Sequence, residues 1–185
     1  MMRSQNSGRT AISGRGYNME IRNIFLTQIM EYFKKTVSEN GEALEKFCNA
    51  LKDGNSEVVE QSLNNYLKRT ISIRDTFVKK QMKENFYHGI LLGILGFQQN
   101  WGVSSNKESG DGYSDILIET EDQETGIIIE IKYAETGNLE AVSEDALKQI
   151  EDRRYEEQLL EEGVEHILKY GIAFYKKKCK VIVVK

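Results

Sequence analysis

From Asn18 onward, apolar residues recur three and four apart. Ile21, Ile24, Phe25, Ile29 and Phe33, with Gln28 on the same stripe, predict an amphipathic helix that Asn40-Gly41 interrupts. Leu44, Phe47, Cys48 and Leu51 mark a second helix, which Asp53-Gly54-Asn55 ends. Asn55 or Ser56 is placed to cap a third, with Val58, Val59, Leu63, Tyr66 and Leu67 facing inward. A longer helix is predicted over 73–95, with Phe77, Met82, Phe86, Ile90 and Leu91 as its buried stripe. Gly89, Gly93 and Gly96 keep its later half thin enough for close packing on a sheet.

The period then shortens to two. Segments near 101–106, 113–119 and 126–133 read as strands, and Thr120 to Thr125 is short enough to join the last two as a hairpin. A helix follows over 143–161, with Ser143 as its N-cap and an acidic outer face. Residues 171–175 and 179–184 read as closing strands around Lys176-Lys177-Lys178. The order predicts a mixed α/β sheet flanked by helices, with an N-terminal helical layer. Its expected divisions are a tail over 1–17, a helical region over 18–70 and an α/β domain over 71–185.

The chain has 185 residues, a net charge of −4 and no proline. That length supports a core without disulfides or structural metal. The net charge excludes a generally basic nucleic-acid binder, so any such contact needs a local patch or bound cations. Cys48 and Cys179 fit no metal-ligand spacing and read as reduced thiols. No apolar run reaches membrane-span length and no secretory signal is visible, so a cytoplasmic protein without membrane contact is expected. Arg3, Arg9 and Arg15 lie among small polar residues, as in a flexible tail or a basic arm.

The chemistry concentrates between Ser105 and Tyr133. Alternation puts Ile127, Ile129, Ile131 and Tyr133 on one face of a strand and Ile128, Glu130 and Lys132 on the other. Two charges on a face that otherwise wants isoleucine carry a desolvation cost and suggest a cleft. Asp115 opens the partner strand, after a tight approach through Gly110 and Gly112. Asp115, Glu130 and the Ile131 carbonyl could hold Mg²⁺ with water. Lys132 would then face developing negative charge. Glu84 is a candidate third carboxylate and Glu108 a candidate for an outer role. A Glu-x-Lys pair alone is more commonly a surface ion pair; the Gly-x-Gly-x-x-Asp lead-in tips the balance toward a site.

The run Ser105-Asn106-Lys107-Glu108-Ser109-Gly110-x-Gly112-x-x-Asp115-Ile116-Leu117-Ile118, followed by Ile129-Glu130-Ile131-Lys132, resembles the PD-(D/E)XK nuclease superfamily. More narrowly, it is similar to the nuclease-like module that follows AAA-ATPase-like domains in bacterial and archaeal proteins. Tyr87-His88-Gly89-x-Leu91-Leu92-Gly93, Ala146-Leu147-x-Gln149-Ile150 with Tyr155, and Tyr170-Gly171-Ile172-Ala173-Phe174 resemble its helix, helix and strand around that core. Residues 18–33 resemble the segment that joins the module to its ATPase.

The resemblance implies an α-β-β-β-α-β restriction-endonuclease-like core and a Mg²⁺- or Mn²⁺-dependent nuclease acting on DNA. It puts Asp115, Glu130 and Lys132 at the catalytic positions, with Gln149 and Tyr155 lining the site. It also implies an AAA-ATPase-like partner or domain. Tyr113 stands where that family often has arginine, and no G-x-x-x-x-G-K-[ST] sequence occurs.

His88 reads as a proton carrier or a packing residue, and Trp101 as a core anchor or a base-stacking platform. Lys176 to Lys178 with Lys180 read as a phosphate grip or a solvated turn. Two other functions compete with a nuclease: a catalytically silent binding module, and a homodimerisation domain built on residues 18–69.

Overall fold

The computed structural model describes residues 41–71, 80–109 and 112–185, with backbone alone at 80–82, 106–109 and 112–114. The expected tail, the helix over 18–33 and the first turns of the long helix, with Phe77, fall outside the described residues, as do the side chains of Met82, Glu108 and Tyr113.

Three helices come first: α1 (Gly41–Asp53), α2 (Ser56–Thr70) and α3 (Lys80–Leu95). Asn55, rather than Ser56, caps α2 by accepting from the Val58 amide at 3.1 Å. Three strands follow, β1 (Gly102–Ser109), β2 (Gly112–Glu119) and β3 (Thr125–Tyr133), then α4 (Leu139–Asp152), α5 (Glu157–Glu161), β4 (His166–Tyr175) and β5 (Lys178–Val184). The strands form one sheet in the order β1-β2-β3-β4-β5, antiparallel except for the parallel β3–β4 pair. This is the expected mixed core with flanking helices and an N-terminal helical layer.

The sheet has a core on each face. Ile127, Ile129, Ile131 and Tyr133 join residues of α1, α2 and α3 in the larger one. Leu117 and Ile128 meet Ile150, Tyr155, Leu159 and Val164 of the α4–α5 side in the smaller one. Tyr170 ties sheet to helical layer by donating to the Leu51 carbonyl at 2.7 Å. The β2–β3 turn is pinned to the same layer: Lys52 lies 2.9 Å from both Glu121 and Asp122, and buried Trp101 donates to Glu121. Trp101 is thus a core anchor. Cys48 and Cys179 are buried and unbridged, and burial pushes the Cys48 thiol up to about 12.

Three expectations are corrected. Ser143 is not an N-cap: Asn138 caps α4, and Ser143 lies buried inside the helix, donating to the Glu140 carbonyl. The predicted helix over 143–161 is two helices, broken where Arg154 takes a φ of 53°. Strand β4 starts at His166 rather than Gly171, because its first residues pair with β3 from Thr125 onward. Among the described residues, no helix is long and apolar enough to cross a membrane.

The β5 edge is covered by side chains of α2. Asn64 accepts from the Cys179 amide at 2.9 Å and donates to the Cys179 carbonyl at 3.2 Å, while Glu60 accepts from the Val181 amide at 3.0 Å. Asn64 therefore answers the strand as a neighbouring strand would. Asn64→Ala is expected to cost about 1–2 kcal/mol, because it strands a half-buried donor and acceptor together. Urea denaturation checks this: the midpoint should fall with no change in slope.

Candidate active site

The site arises where β2 and β3 part. Their pairing runs from Glu119↔Gly126 to Ile116↔Ile129 and stops there, although β2 continues against β1 down to Gly112. The next residues, Asp115 and Glu130, flank the gap. Amides two apart on a strand point the same way, so Ile131 and Tyr133 aim theirs into the space that β2 has left. Two carboxylates answer them. Asp115 accepts from the Ile131 amide at 2.9 Å, and Glu84 of α3 accepts from the Tyr133 amide at 3.2 Å.

Parity sets the directions of the side chains. Leu117 and Ile128 both face α4 and α5. Two positions along each strand, Asp115 and Glu130 face the same way, as does Lys132. The two acids therefore share one face of the sheet.

Glu130 is only 5% exposed. Its Oε1 accepts from Gln149 Nε2 at 2.5 Å, whereas its Oε2 is buried and, among the described residues, has no hydrogen-bond partner. Burial first, then the neighbouring Asp115, pushes the Glu130 carboxyl from 4.5 up to about 9, against the opposing pull of Lys132. Lys132 Nζ donates to Gln149 Oε1 at 2.6 Å. One amide thus orients both the ammonium and the carboxylate. Gln149 Nε2 also lies 3.3 Å from the hydroxyl of Tyr155, which is buried. The break after α4 permits this contact, since an uninterrupted helix would carry residue 155 round to another face.

The structure thus gathers Asp115, Glu130, Lys132, Gln149 and Tyr155 around one point. Glu84 sits at its margin: its charge raises the Glu130 pKa less than burial or Asp115 does, while one of its oxygens holds Tyr133. His88 is not brought in. It is buried under α3, with Nε2 3.2 Å from Ser105 Oγ, and Ser105 pairs with Ile116 on the opposite face of the sheet. The side chain of Glu108 lies outside the described residues.

Sequence reading missed Gly171. It pairs with Glu130 across β4, and α4 crosses directly over it. A glycine inside an apolar strand was the available signal of a close approach.

Among the described residues, no group of three or more His, Cys, Asp or Glu side chains is placed to share a metal ion. The site offers two acids. Mg²⁺ is commonly bound by one or two carboxylates, with water and phosphate completing its shell. An unpartnered buried carboxylate oxygen beside a second carboxylate suits such an ion. The Ile131 carbonyl belongs to the same strand segment whose amide bonds Asp115. The donor set is therefore all oxygen, as a hard cation requires.

A mixed sheet of this order, with an acidic fork between its second and third strands, defines a restriction-endonuclease-like module. The chain belongs to the PD-(D/E)XK nuclease superfamily, whose family profile matches residues 82–184. No curated protein matches it.

Proposed function

We propose that the protein is a Mg²⁺- or Mn²⁺-dependent nuclease that hydrolyses phosphodiester bonds in DNA, with Asp115, Glu130 and Lys132 as its catalytic residues. The observation that carries this reading is Glu130 Oε2, buried beside Asp115 with no hydrogen-bond partner among the described residues. Burying one carboxylate oxygen without a partner costs stability that a functional use explains.

Asp115, Glu130 and the Ile131 carbonyl would hold the cation. The bound ion supplies an activated water and neutralises charge on the scissile phosphate. Lys132 presents its ammonium to the charge that develops during attack, and Gln149 keeps that ammonium from collapsing onto Glu130. Tyr155 braces Gln149; burial raises its pKa, so its hydroxyl stays protonated. Glu84 fixes the end of β3 and adds negative charge at the rim. An AAA-ATPase-like partner is proposed as well, on the likeness of residues 18–33 to the joining segment.

The test is incubation of single-stranded, duplex and branched DNA with the protein and Mg²⁺ or Mn²⁺, beside Asp115→Ala and Lys132→Met. Lys132→Met is expected to slow cleavage by about 10²–10³-fold, the loss typical of one preorganised electrostatic group. Unchanged cleavage in both variants would assign the activity to a contaminant. Cation binding without cleavage would leave a silent binding module.

A further inference from the structure

Five of the described lysines are answered by acids. Lys52, Lys83, Lys148, Lys169 and Lys180 each have a carboxylate partner. Lys180, grouped with the β4–β5 turn from sequence, is thus neutralised by Glu60 at 3.7 Å and Glu140 at 3.4 Å.

The β4–β5 turn region differs from these. Lys176 and Lys177 form the β4–β5 turn, Lys178 opens β5, and Lys177 Nζ donates to the carbonyl of Lys68 at 2.7 Å. That bond fastens the turn to the last turn of α2, where Lys68 and Arg69 are exposed. Two segments joined by that bond thus carry five cations, and among the described residues none of the five has a carboxylate within ion-pair distance. Lys176 also lies 4.8 Å over the ring of half-buried Tyr175. Assembling like charges costs energy in the free protein. A chain with 29 acidic residues has ample means to neutralise them.

Position gives the charge a purpose. Lys132 pairs with Ala173 on β4, and the turn begins three residues later. At a rise of about 3.3 Å per residue, the backbone of the turn starts about 10 Å further along the strand axis than that register position. It lies at the sheet end toward which β3 runs past Glu130.

We propose that the β4–β5 turn and the C-terminal turn of α2 form one phosphate-gripping surface that holds the nucleic-acid strand running from the Asp115–Glu130 site. The helical layer then contributes to substrate binding as well as to packing. The choice of nucleic acid over another polyanion rests on the nuclease reading; the patch itself rests on geometry alone.

The experiment is fluorescence anisotropy with a labelled DNA duplex and its single strand, in EDTA so that nothing is cut, across a KCl series. The Lys68→Glu/Arg69→Glu pair and the Lys177→Glu/Lys178→Glu pair are each compared with wild type, and thermal melts confirm folding. Each pair should weaken binding at least about 10-fold and flatten the slope of log Kd against log salt by about 2, one for each phosphate no longer gripped. Unchanged affinity and slope in both folded pairs overturns the proposal. So does binding to phosphatidylserine vesicles with none to DNA, which would assign the patch to a lipid surface. Wild type that binds DNA through these residues but never cuts it supports the patch and sinks the nuclease reading. Cutting by both pairs at wild-type affinity does the reverse.

Discussion

Glu130→Gln is expected to remove cleavage, by at least about 10²-fold, and at the same time to make the metal-free protein harder to melt. The Glu130 carboxyl moves from 4.5 to about 9 on folding, chiefly through burial and then through Asp115. Between those values the unfolded chain has released the proton and the native chain still holds it. The native state binds more protons, so stability falls as pH rises through that window. At neutral pH the accumulated cost is about 3 kcal/mol, at 1.36 kcal/mol per unit. Glutamine keeps an acceptor for Gln149 and removes the ionisation. Its melting temperature in EDTA should be higher by roughly 6–12 °C at neutral pH, with a flatter pH profile. Adding Mg²⁺ should narrow or invert the difference, because only the wild type can exchange its proton for the cation. Parallel pH profiles in EDTA for the two proteins would overturn this account of Glu130.

Gly171→Ala is expected to be the most damaging single-methyl change in the sheet. A Cβ there would run into the Ser143 carbonyl oxygen and stand 2.8 Å from the Leu147 amide nitrogen and 3.1 Å from Leu147 Cβ. Two of these three neighbours are helix backbone, so α4 must move as a body. The expected cost is about 3 kcal/mol or more, a drop of roughly 6–12 °C in melting temperature. Because Gln149 rides on α4, the shift should also pull it away from Lys132 and Glu130. Activity measured well below the melt should therefore fall by about 10-fold. Gly126→Ala is the control. Its Cβ would meet the end of the Leu159 side chain at 2.6 Å, and that side chain can swing aside. Equal losses from the two substitutions would show that the close crossing of α4 is not what Gly171 serves.

The contrast between what was legible in the chain and what was not follows from the range of the forces involved. The period-two run of β3 revealed its two faces, because alternation is a local property and both cores reward it. The same reading put Glu130 and Lys132 together. The helices α1 and α2 were likewise visible from their stripes and from Asn55. The break at Arg154 was hidden, since nothing in Arg153-Arg154-Tyr155 breaks helices by propensity; burial of Tyr155 and Leu159 against Ile128 decides it. Ser143 was a reasonable cap by type, but Asn138 lies earlier and Gly137, at a φ of +81°, turns the chain to meet it. His88 shares a helix side with Glu84, yet one reaches the end of β3 and the other lies under β1. One helical turn, about 6 Å along the axis, takes the second of them to a different strand.

The bonds from Asn64 and Glu60 to β5 have a consequence for where this protein can be cut. Residues 82–184 are what the family profile covers, but a fragment trimmed to that span would lose both side chains and bare a row of main-chain groups along valine-rich β5. Such an edge invites other chains to add themselves as extra strands. The smallest piece that keeps this edge covered therefore extends upstream of the family boundary and includes α2.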